Sequence, residues 1–101
     1  VEFFIKNKSE SLQYFYVSLE TENENKNWIE VVGDININQD PRSVKISNIR
    51  PDETFRLLVN MPKVLNRVHS GFKHFRLKMS YGVEIDSLNN RIYSTPFEVM
   101  R

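Results

Sequence analysis

Between Phe72 and Tyr81 the chain alternates apolar and polar residues almost without a fault. Phe75, Leu77, Met79 and Tyr81 fall on one side of that alternation and His74, Arg76, Lys78 and Ser80 on the other, which predicts a strand with one buried face. The same period of two recurs along the chain. Val1 to Lys6 reads as a first strand, and Leu12 to Glu20 as a second, with Phe15, Val17 and Leu19 opposed to Tyr14, Tyr16 and Ser18. Trp28 to Val32, Ile35 to Ile37 and Val44 with Ile46 are shorter runs of the same kind. Phe55, Leu57, Val59 and Met61 alternate with Arg56, Leu58 and Asn60. Val83 to Ile85 continues or bends the central strand, and Arg91 to Val99 returns. Pro96 makes that last strand an edge or a bulged one, and a bulge lets Ile92 and Phe97, an odd distance apart, both face inward.

Polar punctuation separates these runs. Asn7 to Ser11, Gly33-Asp34, Asp40-Pro41 and Asp86 to Asn90 read as turns, Thr21 to Asn27 as a solvated, mobile loop, and Pro51 sets a turn by its fixed φ. Val64, Leu65 and Val68 lie at near-helical spacing and predict one helical turn capping an end of the core. Nothing else is helical, and no segment is long enough to cross between parallel strands. The fold class predicted is all-β: an antiparallel immunoglobulin-like β-sandwich of seven to eight strands, residues 1–101 forming a single domain. Phe15, Val17, Trp28, Phe55, Leu57, Val59, Phe75, Leu77, Met79 and Phe97 are its predicted core.

A chain of 101 residues buries roughly 60 to 70% of the surface it exposes when unfolded, enough for one core without staples. Lys and Arg number 14 against 13 Asp and Glu, a net charge of +1 that gives no overall field for nucleic acid or anionic membrane. Cysteine is absent, which excludes a disulfide framework, a thiolate metal site and a cysteine nucleophile, and is neutral about compartment. No apolar run approaches the roughly 20 residues that span a bilayer. The start at Val1, inside a strand, predicts a domain excised from a longer chain.

The order of these signals resembles the immunoglobulin-like and fibronectin-like accessory sandwiches of multidomain bacterial proteins. It is carried by an opening strand ending in Asn7-Lys8-Ser9, by Tyr16-Val17-Ser18-Leu19-Glu20, by the run from Ile46 through Arg50-Pro51-Asp52 to Val59, and by a closing Ser94-Thr95-Pro96-Phe97-Glu98-Val99. The inter-sheet cysteine pair of antibody domains is missing. The resemblance implies a non-catalytic module whose work depends on its neighbours.

Candidate chemistry is sparse. Asp34, Asn36, Asn38 and Asp40 occupy alternate positions as in the opening of a calcium loop, but Gln39 stands where such a loop needs Gly and Lys45 where it needs a bidentate Glu. The plainer reading is a polar strand face, and no metal site or cofactor is predicted. Glu20, Glu22 and Glu24 have the spacing of paired glycosidase carboxylates, yet their Asn-rich surroundings offer solvent where a raised pKa needs an apolar pocket. His69 and His74, the general bases nearest neutrality, read as surface residues. No nucleophile, base and orienting group can be named together, so the chain is read as no enzyme. Asn7-Lys8-Ser9 has the form of a glycosylation acceptor, which chance explains in an Asn-rich chain.

Two features point to binding. His74, Arg76 and Lys78 form a cationic stripe on the outward face of the central strand, reinforced by Arg56 if its strand adjoins. Tyr14 and Tyr16 face outward on the second strand and, with Phe4 on an adjoining strand, would make an aromatic ridge suited to a protein interface. The function expected is therefore a structural or protein–protein interaction module within a larger protein, packed on a neighbouring domain or subunit. The alternative is an accessory module of an enzyme that binds carbohydrate or nucleic acid. Nucleic acid is the weaker partner, since the stripe lacks a stacking platform, and membrane insertion is not expected.

Overall fold

A computed structural model describes residues 2–33 and 46–100. Its elements in chain order are strands β1 (Glu2–Lys6), β2 (Gln13–Glu22), β3 (Trp28–Val32), β4 (Ser47–Ile49) and β5 (Thr54–Leu58), helix α1 (Met61–Leu65), and strands β6 (His74–Gly82), β7 (Asn90–Tyr93) and β8 (Phe97–Glu98). Every strand pairing among these residues is antiparallel, so the protein is all-β, and the described strands form two sheets.

The larger sheet is built on the two longest strands. β2 and β6 pair from Tyr14↔Gly82 to Thr21↔Phe75. The free side of β2 is shared by β4 at one end and β3 at the other, and the free side of β6 by β7 and β8. β1 and β5 form the smaller sheet, with Phe3↔Leu57 and Ile5↔Phe55 in register. Its inward residues pack on the inward face of β2 and β6, where Phe15 and Phe55 meet edge to face at 5.1 Å. The core between the sheets is Phe15, Val17, Leu19, Ile49, Leu57, Val59, Phe75 and Leu77, closed at one end by Val64, Leu65 and Val68 on and after α1. Asn60 starts that helix by accepting from the Lys63 N–H, and Pro62 fits its first turn, where no N–H is needed.

Of the predicted core, Phe15, Val17, Leu57, Val59, Phe75 and Leu77 are buried, and Phe55, Met79 and Phe97 are partly buried against it. Trp28 is not in the core: it pairs with Glu22, so parity puts it on the outer face with Glu20, and it is half-buried there. Other boundaries also differ from the sequence reading. β2 runs on to Glu22, and the supposed loop shrinks to a turn in which Asn23 Oδ1 accepts from the N–H groups of Asn25 and Asn27, both at 3.0 Å. Met61 opens the helix instead of ending a strand. Val83 and Ile85 leave the sheet for an exposed turn, whose Ser87 carbonyl packs so closely on Gly82 that an added Cβ would lie 2.6 Å from it. The proposed strand at Ile35 to Ile37, the Asp40-Pro41 turn, Val44 and the alternating Asp34, Asn36, Asn38 and Asp40 lie outside the described residues, and the strand expected at Val44 and Ile46 is seen as β4 only from Ser47.

The closing strand is split as Pro96 suggested. Lys78↔Tyr93 and Phe75↔Phe97 are both in register, so three steps on β6 match four on the returning chain, which is a one-residue bulge. Ser94 bridges it: its N–H donates to Leu77 O at 2.9 Å and its Oγ accepts from the Leu77 N–H at 2.8 Å. Ile92 and Phe97 consequently share the core face, opposite Met79 and Phe75.

Candidate functional site

The outer face of the larger sheet brings together all five residues singled out for binding. On β2 lie Tyr14, Tyr16, Ser18 and Glu20, and opposite them on β6 lie Gly82, Ser80, Lys78 and Arg76, with His74 beyond. Phe4 and Arg56 do not join this face. Both belong to the other sheet, where β1 and β5 pair, and Arg56 is bonded to Glu2 across that pair. The aromatic ridge therefore stops at the two tyrosines, both half-buried.

The cationic stripe is a compensated network. Glu20, directly opposite Arg76, is only 6% exposed, and its carboxylate accepts from Arg76 Nε at 2.7 Å. Lys78 Nζ lies 3.5 Å from the other Glu20 oxygen and 3.2 Å from Glu30. Two cations thus meet two carboxylates, and the face presents no net charge there. Burial alone would pull the Lys78 ammonium down, but the Glu30 hydrogen bond and the charges of Glu30 and Glu20 outweigh it and hold the group above the ordinary lysine value. Glu20 is not the solvated loop acid the sequence suggested: the lengthening of β2 puts it mid-sheet, beneath the long side chains of β6. His74 pairs with Glu98 at 3.7 Å, both exposed.

Arg76 also lies between two rings, its guanidinium carbon 4.5 Å from the Trp28 centroid and 4.0 Å from that of Tyr93. Neither ring was placed here from the sequence. Each such contact contributes on the order of 1 kcal/mol, and together with Glu20 they fix the guanidinium plane. The signal that could have found them is parity: once Glu22 and Trp28 are paired, Trp28 and Glu30 must share the face of Glu20.

A second surface lies where β1 and β7 face each other. Among the described residues β7 is the outermost strand of its sheet and β1 pairs on one side only. Between them run two adjoining clefts of about 310 Å³ each that share Ile5, Met79 and Ile92; Phe3, Val17 and Leu77 complete the lining of one and Phe15, Ile49 and Tyr81 that of the other. Phe4 is 66% exposed, Ile92 50% and Tyr93 46% at this opening. Lys6 and Lys8 are the charged residues of the lining, with no carboxylate among them.

Asn7, beside the cleft, is 5% exposed, and its Nδ2 donates to Ser11 O at 2.8 Å and Ile49 O at 2.9 Å. With both amide protons donated inward, this side chain is closed to a glycan in the folded protein. Among the described residues no three His, Asp or Glu side chains gather as a metal site, and no helix is long and apolar enough to cross a membrane. No protein-family model matches the chain, and no curated protein or solved structure matches it either.

Proposed function

We propose that this chain is an immunoglobulin-like β-sandwich that performs no chemistry of its own and serves a larger protein as a structural or protein–protein interaction module. The observation that carries the reading is the side of the molecule between β1 and β7, where the inward-facing Ile92 stays half exposed beside an apolar cleft, with Phe4 and Tyr93 exposed at its margins. Contiguous apolar surface of this kind marks a place where something docks. The outer face of the larger sheet supports a ligand-binding role less well. Its cations are spent on Glu20 and Glu30, and Trp28 and Tyr93 each give a ring face to Arg76.

The test places a photoreactive benzoylphenylalanine at Ile92, and as a control at Asn25 in the turn between β2 and β3, in the protein expressed in its native cells. A discrete covalent adduct from position 92 and none from position 25 is expected. Equal labelling from both positions, or none from 92, would overturn the reading.

A further inference from the structure

We infer that the cleft between β1 and β7 binds a free single-chain anionic amphiphile of the fatty-acid class, its alkyl chain lying along the cleft and its carboxylate at the Asn7 end, beside Lys6 and Lys8. This goes beyond the interaction reading and does not rest on it, since the chain lies within the cleft while Phe4 and Tyr93 stay exposed at the margins.

Shape supplies the first argument. Each of the two clefts holds about 310 Å³, and small-molecule sites run from about 300 to 1,000 Å³. Because the clefts share Ile5, Met79 and Ile92, one chain can pass from the first into the second. Their β6 lining extends from Leu77 to Tyr81, a length of about 13 Å at strand spacing. A saturated chain with carbon–carbon bonds of about 1.5 Å advances roughly 1.3 Å per carbon, so about ten carbons fill that length. Phe3, Ile5, Val17, Leu77 and Ile92 give the guest an apolar wall, and Met79 at the junction has the unbranched, adaptable side chain that fits an irregular gap.

Charge supplies the second, because it is confined to one end. Lys6 and Lys8 line the cleft where Asn7, Ser9 and Gln13 do, and the other cleft adds no charge beyond Lys6. Alternation turns Lys6 to the outer side of β1 with Phe4, so it meets the cleft at the rim; Lys8 lies past the strand and is free of that alternation. Arg56, His74, Arg76 and Lys78 are each paired with a carboxylate, whereas neither Lys6 nor Lys8 has such a partner among the described residues. The neighbouring polar side chains are occupied with one another: Gln13 Nε2 donates to Ser9 Oγ at 3.1 Å and Ser9 Oγ to Asn7 Oδ1 at 2.6 Å. Two uncompensated ammonium groups at one end of an apolar cleft match a guest that carries its negative charge at one end of an apolar chain.

The probe is dodecanoate, titrated into the isotope-labelled protein and followed by NMR. Saturable shifts of the Ile5, Met79 and Ile92 methyls and of the Lys8 amide are expected below about 1 mM. Octanoate, with four fewer CH₂ groups to bury, should bind at least about tenfold more weakly. Dodecyltrimethylammonium should be weaker by a similar factor, and so should dodecanoyl-glycine amide, which stands for an acyl chain attached to a polypeptide. Lys6→Gln with Lys8→Gln changes two exposed side chains, so this variant should keep its spectrum and lose about threefold to tenfold in affinity for dodecanoate. Ile92→Glu should abolish binding by placing a carboxylate in the wall. No saturation by about 1 mM, equal binding of the cationic or the amide amphiphile, or shifts centred on Trp28 would overturn the inference. The interaction reading would then still be decided by the cross-linking experiment, which detects protein adducts and not fatty acid.

Discussion

Asn7 shows how much one polar side chain does in this fold. Its Oδ1 accepts from Ser9 N at 2.9 Å, its Nδ2 holds Ser11 and Ile49 carbonyls, and its backbone pairs with Asp52 and Glu53 in the turn before β5. One residue thus joins the end of β1 to the start of β2, the end of β4 and the Pro51 turn. Asn7→Asp would set a carboxylate against two carbonyls and is expected to cost about 1–3 kcal/mol or more at neutral pH. Protonating the carboxyl restores one donor, so the loss measured by denaturant titration should shrink on acidification; a loss under about 0.5 kcal/mol would place Asn7 outside the network. Lys78 gives a second test. Its folded pKa lies above the ordinary 10.5, so its interactions stabilise the fold fully below that value and are lost as pH climbs through the raised one. The stability advantage of the natural protein over Lys78→Met should be constant up to about pH 10 and narrow above it. An advantage that widens with alkali would contradict the ion pairing.

The elements were largely legible, because β2 and β6 announce themselves by strict alternation and their inward residues are the apolar ones. Even the bulge could be read, since Pro96 and the odd spacing of Ile92 and Phe97 demand it. Leu77 sits in the middle of β6, opposite Leu19 and bonded through its N–H to Ser94. Leu77→Ala is expected to cost about 2–5 kcal/mol, measured by chemical denaturation; less than about 1 kcal/mol would mean the faces of β6 are reversed. What stayed hidden depends on contacts far apart in sequence. Trp28 reads as core by hydrophobicity alone, and only the register with β2 sends it outward to Arg76. Phe4 and Arg56 could be joined to the tyrosines only by guessing which strand neighbours which, and β1 turned out to belong with β5. Val83 and Ile85 fit strand periodicity, but the loop that follows folds back on Gly82. Gly82→Ala must move that backbone and should destabilise by about 1–3 kcal/mol; a neutral effect on the melting curve would show the loop free to give way.

At the scale of the molecule, the two sheets cover each other unevenly. The smaller sheet has two strands and reaches over the centre of the larger one, so the flank along β7 is left with an apolar wall, a basic rim and half of a ladder. The binding residues suggested by the sequence lie instead on the opposite, outer face, where carboxylates and rings already hold the two inner cations. The most direct measurement is native-state amide hydrogen exchange on the isolated chain, read at Arg91, Ile92 and Tyr93. Ser94 donates its N–H toward β6 and antiparallel strands alternate that direction residue by residue, so Ile92 faces β6 while Arg91 and Tyr93 turn outward. The Arg91 and Tyr93 amides are expected to exchange at rates near those of an unstructured peptide while Ile92 between them is protected. Protection of all three would mean that the edge of β7 is already covered and that the cleft beside it is not a place left for a partner.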